Sequence, residues 1–586
     1  MKFNKLAEVF EKIEQESSRT LITKILAEIL KEATPAESAI IAYLSLGSLN
    51  AVYVSTQFNF AEKGMIKALA QLTKSTQHEI KEQVDKMGDL GLVVASHTWQ
   101  ASTDDELSIT EMHKKLNRLL SITGTGSQDV KEQFLKEILQ EIDPLSAKYV
   151  VRIILGKLRL GFSDMTLLDA FSWAECGDKS IRQALEDAYN ISADIGLIIK
   201  TLKEDGVAGI QKMAIIPGIP IRPAAAERLS DAHAIVKKLG NCIAQPKLDG
   251  FRLQVHIDRT GKEPLIRFYS RNLQDMSQMF PDLKAAVLDL KVDSLVAEGE
   301  AIAFDSETGS FLPFQETVKR KRKHDVERVA EEYPLKLYLF DLLYSDGVSL
   351  LSETHEHRRK KLVHLLDHAD IKKHDIIFPI EEVEIAKAVD LERYFEQNIS
   401  LGLEGLVVKR PDAVYQPGKR NFNWIKLKRQ ESGQIDDTLD CVILGYYFGH
   451  GKRAKFGIGA LLVGVYNQEQ DCFQTIAKLG TGLSDEEWRE QKKACDERRV
   501  EKRPHNVECA KELYPDVWVA PEIICMVRAD EITRSPLHRT GAKEGELGLA
   551  LRFPRLMGYR PDKSALEATT VNEVEALFKL QFKKKK

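Results

Sequence analysis

Lys247-Leu-Asp-Gly-Phe-Arg-Leu-Gln-Val-His-Ile-Asp258 is the stretch on which the fold turns. Phe251, Leu253, Val255 and Ile257 alternate with Arg252, Gln254, His256 and Asp258, the period of two that predicts a half-buried strand. A lysine stands just ahead of that strand, and Gly250 between them allows a close backbone approach. Taken alone, Lys247 to Arg252 reads equally well as a β-turn carrying a solvated lysine.

On the N-terminal side, from Met1 to about Lys212, apolar residues recur at three- and four-residue steps, as in Leu21, Ile25, Ile29 and Leu30, which predicts a helical domain. One break within it, Ile122-Thr-Gly-Thr-Gly-Ser-Gln128, reads either as a plain connector or as a phosphate contact. Ile215-Ile-Pro-Gly-Ile-Pro-Ile-Arg-Pro223 ends helices and marks a boundary. Beyond Asp258, short strands interleaved with helical pieces recur to about Arg429. From about Ser432 a second strand series begins with DCVILGYYFGHG and GALLVGVYN, passes through a helical segment and continues to Phe553, the pattern of a small closed β-structure. The expected division is 1–214, 215–431 and 432–586, with Lys583 to Lys586 a solvated tail.

A chain of 586 residues exceeds one core and implies about three or four domains. Apolar residues at 43% and charged residues at 29% are the balance of a soluble globular protein. No window approaches the ~20 apolar residues of a membrane span, and the start reads as an amphipathic helix, so no membrane partner and a cytoplasmic location are expected. Seven scattered cysteines lack zinc or disulfide spacing and read as free thiols. The net charge of −4 names no partner, because nucleic acid responds to local basic surface.

The chemistry-bearing residues fall on strands. In Trp424-Ile-Lys-Leu-Lys428 the period of two puts Lys426 and Lys428 on one face, where two ammonium groups call for an anion. Glu298 and Glu300 share a face in the same way, suited to a hydrated divalent cation or a ribose, or simply to solvent. Gly405-Leu-Val-Val-Lys409 reads as a buried strand with Glu404 at its entrance and Lys409 at its exit. Phe340 is by default a core aromatic. No G-x-x-x-x-G-K-S/T occurs, so a nucleoside triphosphate would be held by strand-borne cations rather than by a P-loop. A lysine crowded by other cations loses its proton more easily, and its amine can then attack phosphorus.

In order, KLDGFR (247–252), SRN (270–272), EGEAIAF (298–304), LFDLLY (339–344), EGLVVK (404–409) and WIKLKR (424–429) resemble the collinear motifs of the nucleotidyltransferase superfamily of ligases and capping enzymes. RLGFSDMTLLDAF (159–171), GTGSQD (124–129), PIRPAAAERL (220–229), YYFGHGKR (446–453), KLGTGLSD (478–485) and LRFPRLMGYRPDK (551–563) narrow the resemblance to ATP-dependent DNA ligases of the archaeal and eukaryotic replicative type, over essentially the whole chain. That resemblance implies a multidomain α and α+β architecture: an all-helical N-terminal DNA-binding domain, an α+β adenylation (nucleotidyltransferase) domain and a C-terminal OB-fold β-barrel.

It also implies sealing of nicks in duplex DNA, in replication, repair and recombination, through a lysyl-AMP at Lys247. Gln245, Arg252, Arg271, Glu300, Phe340, Lys409, Arg420, Lys426 and Lys428 would bind the nucleotide, with Phe340 stacked on adenine. Glu300 and Glu404 would stand near ribose and magnesium, and Arg552, Arg555, Arg560 and Lys563 would orient the leaving pyrophosphate. The implied cofactors are ATP and Mg2+. The implied partner is nicked double-stranded DNA, bound by a monomer, with a sliding clamp as a further partner although no clear clamp motif stands in the chain. Lys319 to Lys323, Lys452, Arg453 and Lys455 are candidate DNA contacts, although such basic runs are more often solvated faces.

Two positions depart from the family pattern. Gln245 stands where glutamate is usual, which leaves ADP or another nucleotide open, and PIRPAAAERL has alanine where methionine is common. A capping guanylyltransferase or RNA ligase is the nearest rival reading, disfavoured by the helical region and the RFPR segment. A non-catalytic DNA-binding scaffold is the other, disfavoured by the presence of Lys247, Glu404, Lys426 and Lys428.

Overall fold

A computed structural model describes residues 1–54, 57–99, 107–124, 126–158, 160–229, 231–305, 310–312, 317, 319–321, 325–367, 375–401, 403–428, 438–449, 456–480, 483–529, 531–543 and 546–580. Thr125, Arg159, Arg322, Lys323, Arg429, Lys452, Arg453, Lys455 and the lysines from 583 onward lie outside them. The chain forms two compact units. One comprises Arg19–Thr56 and Ser163–Arg429, the other Met1–Ser18, Gln57–Phe162 and Gln430–Lys586.

In the unit that carries Lys247, the helix Ile195–Gln211 packs on Pro35–Ser45, and Asp164–Cys176 packs on Arg19–Glu32. Their starts are set locally. Thr34 and Glu37 form a capping box ahead of Pro35. Asp194 caps Leu197 while also accepting the hydroxyls of Tyr43 (2.5 Å) and Tyr53 (2.9 Å).

Two sheets follow in the same unit. Among the described residues the first runs Ala225–Arg228, Arg420–Lys428, Gly405–Lys409, Cys242–Lys247, Val383–Ile385. Its three central strands are antiparallel, with Pro246, Leu406 and Leu427 abreast, then Ala244, Val408 and Ile425. The leucines, Ala244, Val408 and Ile425 are buried against Ile235, Leu391 and Tyr394 of the helices Ala232–Leu239 and Ala388–Ser400. Partners directly opposite share a face, so the intervening residues all point the other way.

The second sheet runs Leu265–Ser270, Phe251–Asp258, Ser294–Asp305, Leu335–Ser345, Val348–Ser349. Leu253, Val255 and Ile257 join a core with Phe268, Phe280, Leu283, Leu339 and Leu362. The half-buried strand read from the alternation is instead buried on both faces, for Gln254 and His256 are also enclosed. The proline-rich segment covers them. Gln254 accepts the Ile221 N–H at 2.7 Å and donates to the Ile221 carbonyl at 3.0 Å, and the Gly218 N–H donates to His256 Nδ1 at 3.0 Å. These bonds satisfy side chains that would otherwise be costly to bury. Burial drives the His256 imidazole down to about 3, so it stays neutral.

The C-terminal region is β-rich with a curled sheet. Leu439–Tyr447 pairs along one edge with Ala460–Asn467, and along the other with Ile524–Arg528 and then Val517–Val519. Cys441, Ile443, Val463, Ile476, Trp488, Val519 and Val527 fill its interior. All seven cysteines are free.

Candidate active site

The second face of the first sheet gathers what the sequence scattered. Lys247, Gly405 and Lys428 stand abreast; Gln245, Val407 and Lys426 form the next row on that face; Ile243, Lys409 and Trp424 form the third. The alternation that seats Leu406, Val408, Ile425 and Leu427 in the core therefore aims four lysines and a glutamine the other way.

Lys247 ends its strand, and the turn through Gly250 carries the chain into the second sheet. A Cβ on Gly250 would lie 2.3 Å from the Ala301 carbonyl oxygen, which is the close approach that demands glycine. The Lys247 and Lys428 ammonium groups both pair with the Glu404 carboxylate, one on each oxygen. Burial raises the Glu404 carboxyl, but the two lysines outweigh it and hold it below the ordinary range. Burial, and then the neighbouring Lys428 and Arg420 cations, lowers Lys426.

The second sheet supplies the facing groups. Arg252 pairs with the two oxygens of Glu298 at 2.8 and 3.0 Å and donates to the Ala224 carbonyl at 2.8 Å. Tyr415 donates to the same Glu298 at 2.8 Å. Glu298 is thus a buried counter-ion, not the cation or ribose ligand that its shared face with Glu300 suggested. Glu300 accepts the Gly250 N–H at 3.2 Å, and burial pushes its carboxyl up to about 7 against the pull of Lys247 and Arg252.

Phe340 is the extra residue of a β-bulge, since Glu298 faces Asp341 while Gly299 faces Leu339. The ring is half-buried, edge-on to Trp424 with centroids 6.1 Å apart. Arg252 lies 5.4 Å from the Phe340 ring and 5.6 Å from that of Trp424. Lys409 lies 4.9 and 4.3 Å from the same two rings and donates to the Phe340 carbonyl at 3.2 Å. Burial drives the Lys409 ammonium down to about 8, although Asp341 and Glu382 act to raise it.

A lysine amine beside a row of cations, a half-buried arginine and an aromatic ring can receive an anionic group at the lysines and a planar group at the ring. The sequence profile described as "ATP dependent DNA ligase domain" matches residues 223–428, and those described as "DNA ligase N terminus" and "ATP dependent DNA ligase C terminal region" match 2–172 and 454–563. A "Probable DNA ligase" of Dictyoglomus thermophilum is 44% identical over 100% of this chain and 99% of its own length. The chain belongs to the ATP-dependent DNA ligase family. A "DNA ligase" of Sulfolobus acidocaldarius is 37% identical over 100% of this chain and 99% of its own length. A solved structure named "Pmar-Lig_PreS3" shares the fold, with 17% identity and a TM-score of 0.52 over 95% of this chain and 99% of that one.

In this ligase Arg271 and Arg420 are exposed, Arg271 beside a cavity of about 420 Å³ that it lines with Arg222, Tyr189 and Asp164. The closing residues lie in the other compact unit. Arg560 and Lys563 meet at Asp440, at 3.4 and 2.6 Å, while Arg552 pairs with Glu531 at 2.9 Å and Arg555 is exposed on the strand Arg555–Tyr559. Trp424, Tyr415 and Glu382 escaped the sequence reading, which had Glu298 only as a partner of Glu300. Trp424 was within reach, since it shares the parity of Lys426 and Lys428; Tyr415 and Glu382 carry no local signal.

Proposed function

We propose that Lys247 is the nucleophile of this ligase. Its amine forms a bond to the α-phosphorus of ATP, pyrophosphate leaves, and the AMP passes to the 5′-phosphate of a nick. The adjacent 3′-hydroxyl then attacks that 5′-phosphorus and expels AMP, closing the backbone. The observation that carries the reading is the Lys247–Glu404–Lys428 row: the carboxylate fixes the amine's position, and the cations of the same face supply the charge that a triphosphate needs.

Arg252, Lys409, Lys426 and Lys428, with exposed Arg271 and Arg420, bind the phosphates; Phe340 stacks on the base; Glu300 holds the ribose; Gln245 reads the base edge. Arg552, Arg555, Arg560 and Lys563 act on the pyrophosphate. The carboxylates suit a magnesium ion that arrives with its nucleotide. Among the described residues no group of three ligating side chains forms a cage, and Mg2+ characteristically keeps waters and phosphate oxygens beside one or two carboxylates. Glu300 and Glu404 would hold it, and when bound it neutralises phosphate charge.

Residues 1–214, 215–431 and 432–586 act as DNA-binding, adenylation and OB-fold domains, and one copy of the chain carries all three. Lys319 and Lys321 remain DNA contacts to test. Among the described residues no helix is long and apolar enough to cross a membrane; a cytoplasmic location, at the nucleoid during sealing, is part of this proposal. The test is a nicked duplex with a labelled 5′-phosphate incubated with protein, ATP and magnesium. Joining should make the label resistant to phosphatase and should require the 5′-phosphate. Joining supported by NAD instead of ATP, or none by folded protein, contradicts the reading.

A further inference from the structure

Gln245 is buried at 2% exposure, two residues before Lys247 and on the same face. Glu382 immediately precedes the edge strand Val383–Ile385, whose Val383 pairs with Ala244, and so stands beside Gln245. Gln245 Nε2 donates to Glu382 Oε1 at 2.5 Å. The same oxygen contacts His355 Nε2 at 2.9 Å, and Arg359 Nε lies 3.5 Å from the other. Arg359 also donates to the Ile380 carbonyl, which ties its guanidinium to the chain just ahead of Glu382.

These contacts settle which way the amide faces. Burial raises the Glu382 carboxyl, but His355, Arg359 and Lys409 together hold it below the ordinary range, so it is a carboxylate. A carboxylate only accepts hydrogen bonds, so the end of the Gln245 amide that meets it is the nitrogen. Among the described residues no group donates to Gln245 Oε1. A free glutamine could turn its amide to suit a donor or an acceptor; this one is held as an acceptor.

We propose that Glu382 is a positioning residue for nucleotide choice: by engaging the Gln245 nitrogen it leaves the carbonyl oxygen to accept from the exocyclic amino group of adenine. Guanine presents O6 at the corresponding place, where two acceptors would oppose each other. Selection thus falls on the purine edge and is independent of the number of phosphates. This inference rests on the proposed binding of the nucleotide against the Lys247 face.

The test compares full-length wild type, Glu382→Gln and Gln245→Leu, each with magnesium and α-labelled ATP or GTP, following the rate of covalent labelling against nucleotide concentration. Thermal unfolding is measured alongside. The wild type should label from ATP in preference to GTP. In Glu382→Gln the amide can turn, and the ATP-to-GTP ratio of kcat/KM should fall by about tenfold, chiefly through KM, as expected for one misassigned hydrogen bond. Gln245→Leu leaves Glu382 with His355 and Arg359, and should lose the same preference even if Glu382→Gln fails to fold. An unchanged ratio in folded Glu382→Gln, equal losses for both nucleotides, or a retained preference in Gln245→Leu overturns the proposal. Absence of label in folded wild type removes the nucleotidyl-transfer reading and this inference with it, an outcome distinct from label with unaltered preference.

Discussion

Lys247 and Lys428 hold opposite oxygens of one carboxylate, that of Glu404, from the two strands that flank Gly405. Glu404 therefore fixes the place of the Lys247 amine and separates two cations. Glu404→Ala should slow covalent labelling by on the order of a hundredfold, the scale of losing a preorganised charged group. Single-turnover labelling with α-labelled ATP reads the loss directly, and unchanged labelling would place the carboxylate outside the chemistry.

Gly405 has φ +144°, and a Cβ there would fall 2.2 Å from the Leu427 carbonyl oxygen. Gly405→Ala should destabilise the fold by about 3 kcal/mol in chemical denaturation, because the obstacle is backbone in a paired strand. Gly261→Ala, where a Cβ meets only the Glu263 carbonyl oxygen at 3.6 Å, should be close to neutral.

Half-buried Arg252 pairs with the buried Glu298, which is 1% exposed. Glu298→Ala would leave a half-buried arginine charge with its chief partner gone, a loss of about 2–3 kcal/mol. Denaturant unfolding should show it in the protein without nucleotide, which separates this structural role from catalysis.

Glu300 titrates at about 7 in the folded protein, above the ordinary carboxyl range near 4.5. Between those values the folded state binds the extra proton, so stability falls as pH rises from about 4.5 through 7 and is flat above. Glu300→Gln should remove that part of the decline. Thermal unfolding of both proteins at pH 5 and pH 8 measures it, with the variant gaining on the wild type at the higher pH.

Asp440 holds Arg560 and Lys563 together. If these cations act on the pyrophosphate, Lys563→Ala should slow labelling by ATP at least tenfold. Sealing of a nick already carrying AMP on its 5′-phosphate should change much less. Equal losses in both assays would assign Lys563 to DNA binding or folding.

The sequence made the parity of the strands readable, and with it the shared face of Lys426 and Lys428 and the place of Lys247 ahead of a strand. Spacing of two is a local property, so it survives into the structure unaltered. The bulge at Phe340 was not readable, because one extra residue in a ladder depends on its partner strand. Nor was the burial of Gln254 and His256, whose cover comes from residues 215–223 far back along the chain. Glu298 looked equivalent to Glu300 by spacing alone; only the approach of Arg252 and Tyr415 separates a counter-ion from a carboxyl left facing the site. Glu382 reaches Gln245 through a pairing that no motif announces.

The proposed mechanism depends on a phosphoramidate at one lysine. Full-length wild type, Lys247→Ala and Lys247→Arg should be incubated with magnesium and α-labelled ATP, resolved on denaturing gels, and the labelled peptide identified by mass spectrometry before nicked duplex is added. AMP should appear on Lys247 in the wild type, with no label in either variant and loss of the label to the duplex. Label that persists in Lys247→Ala, or that nicked DNA fails to remove, contradicts the mechanism.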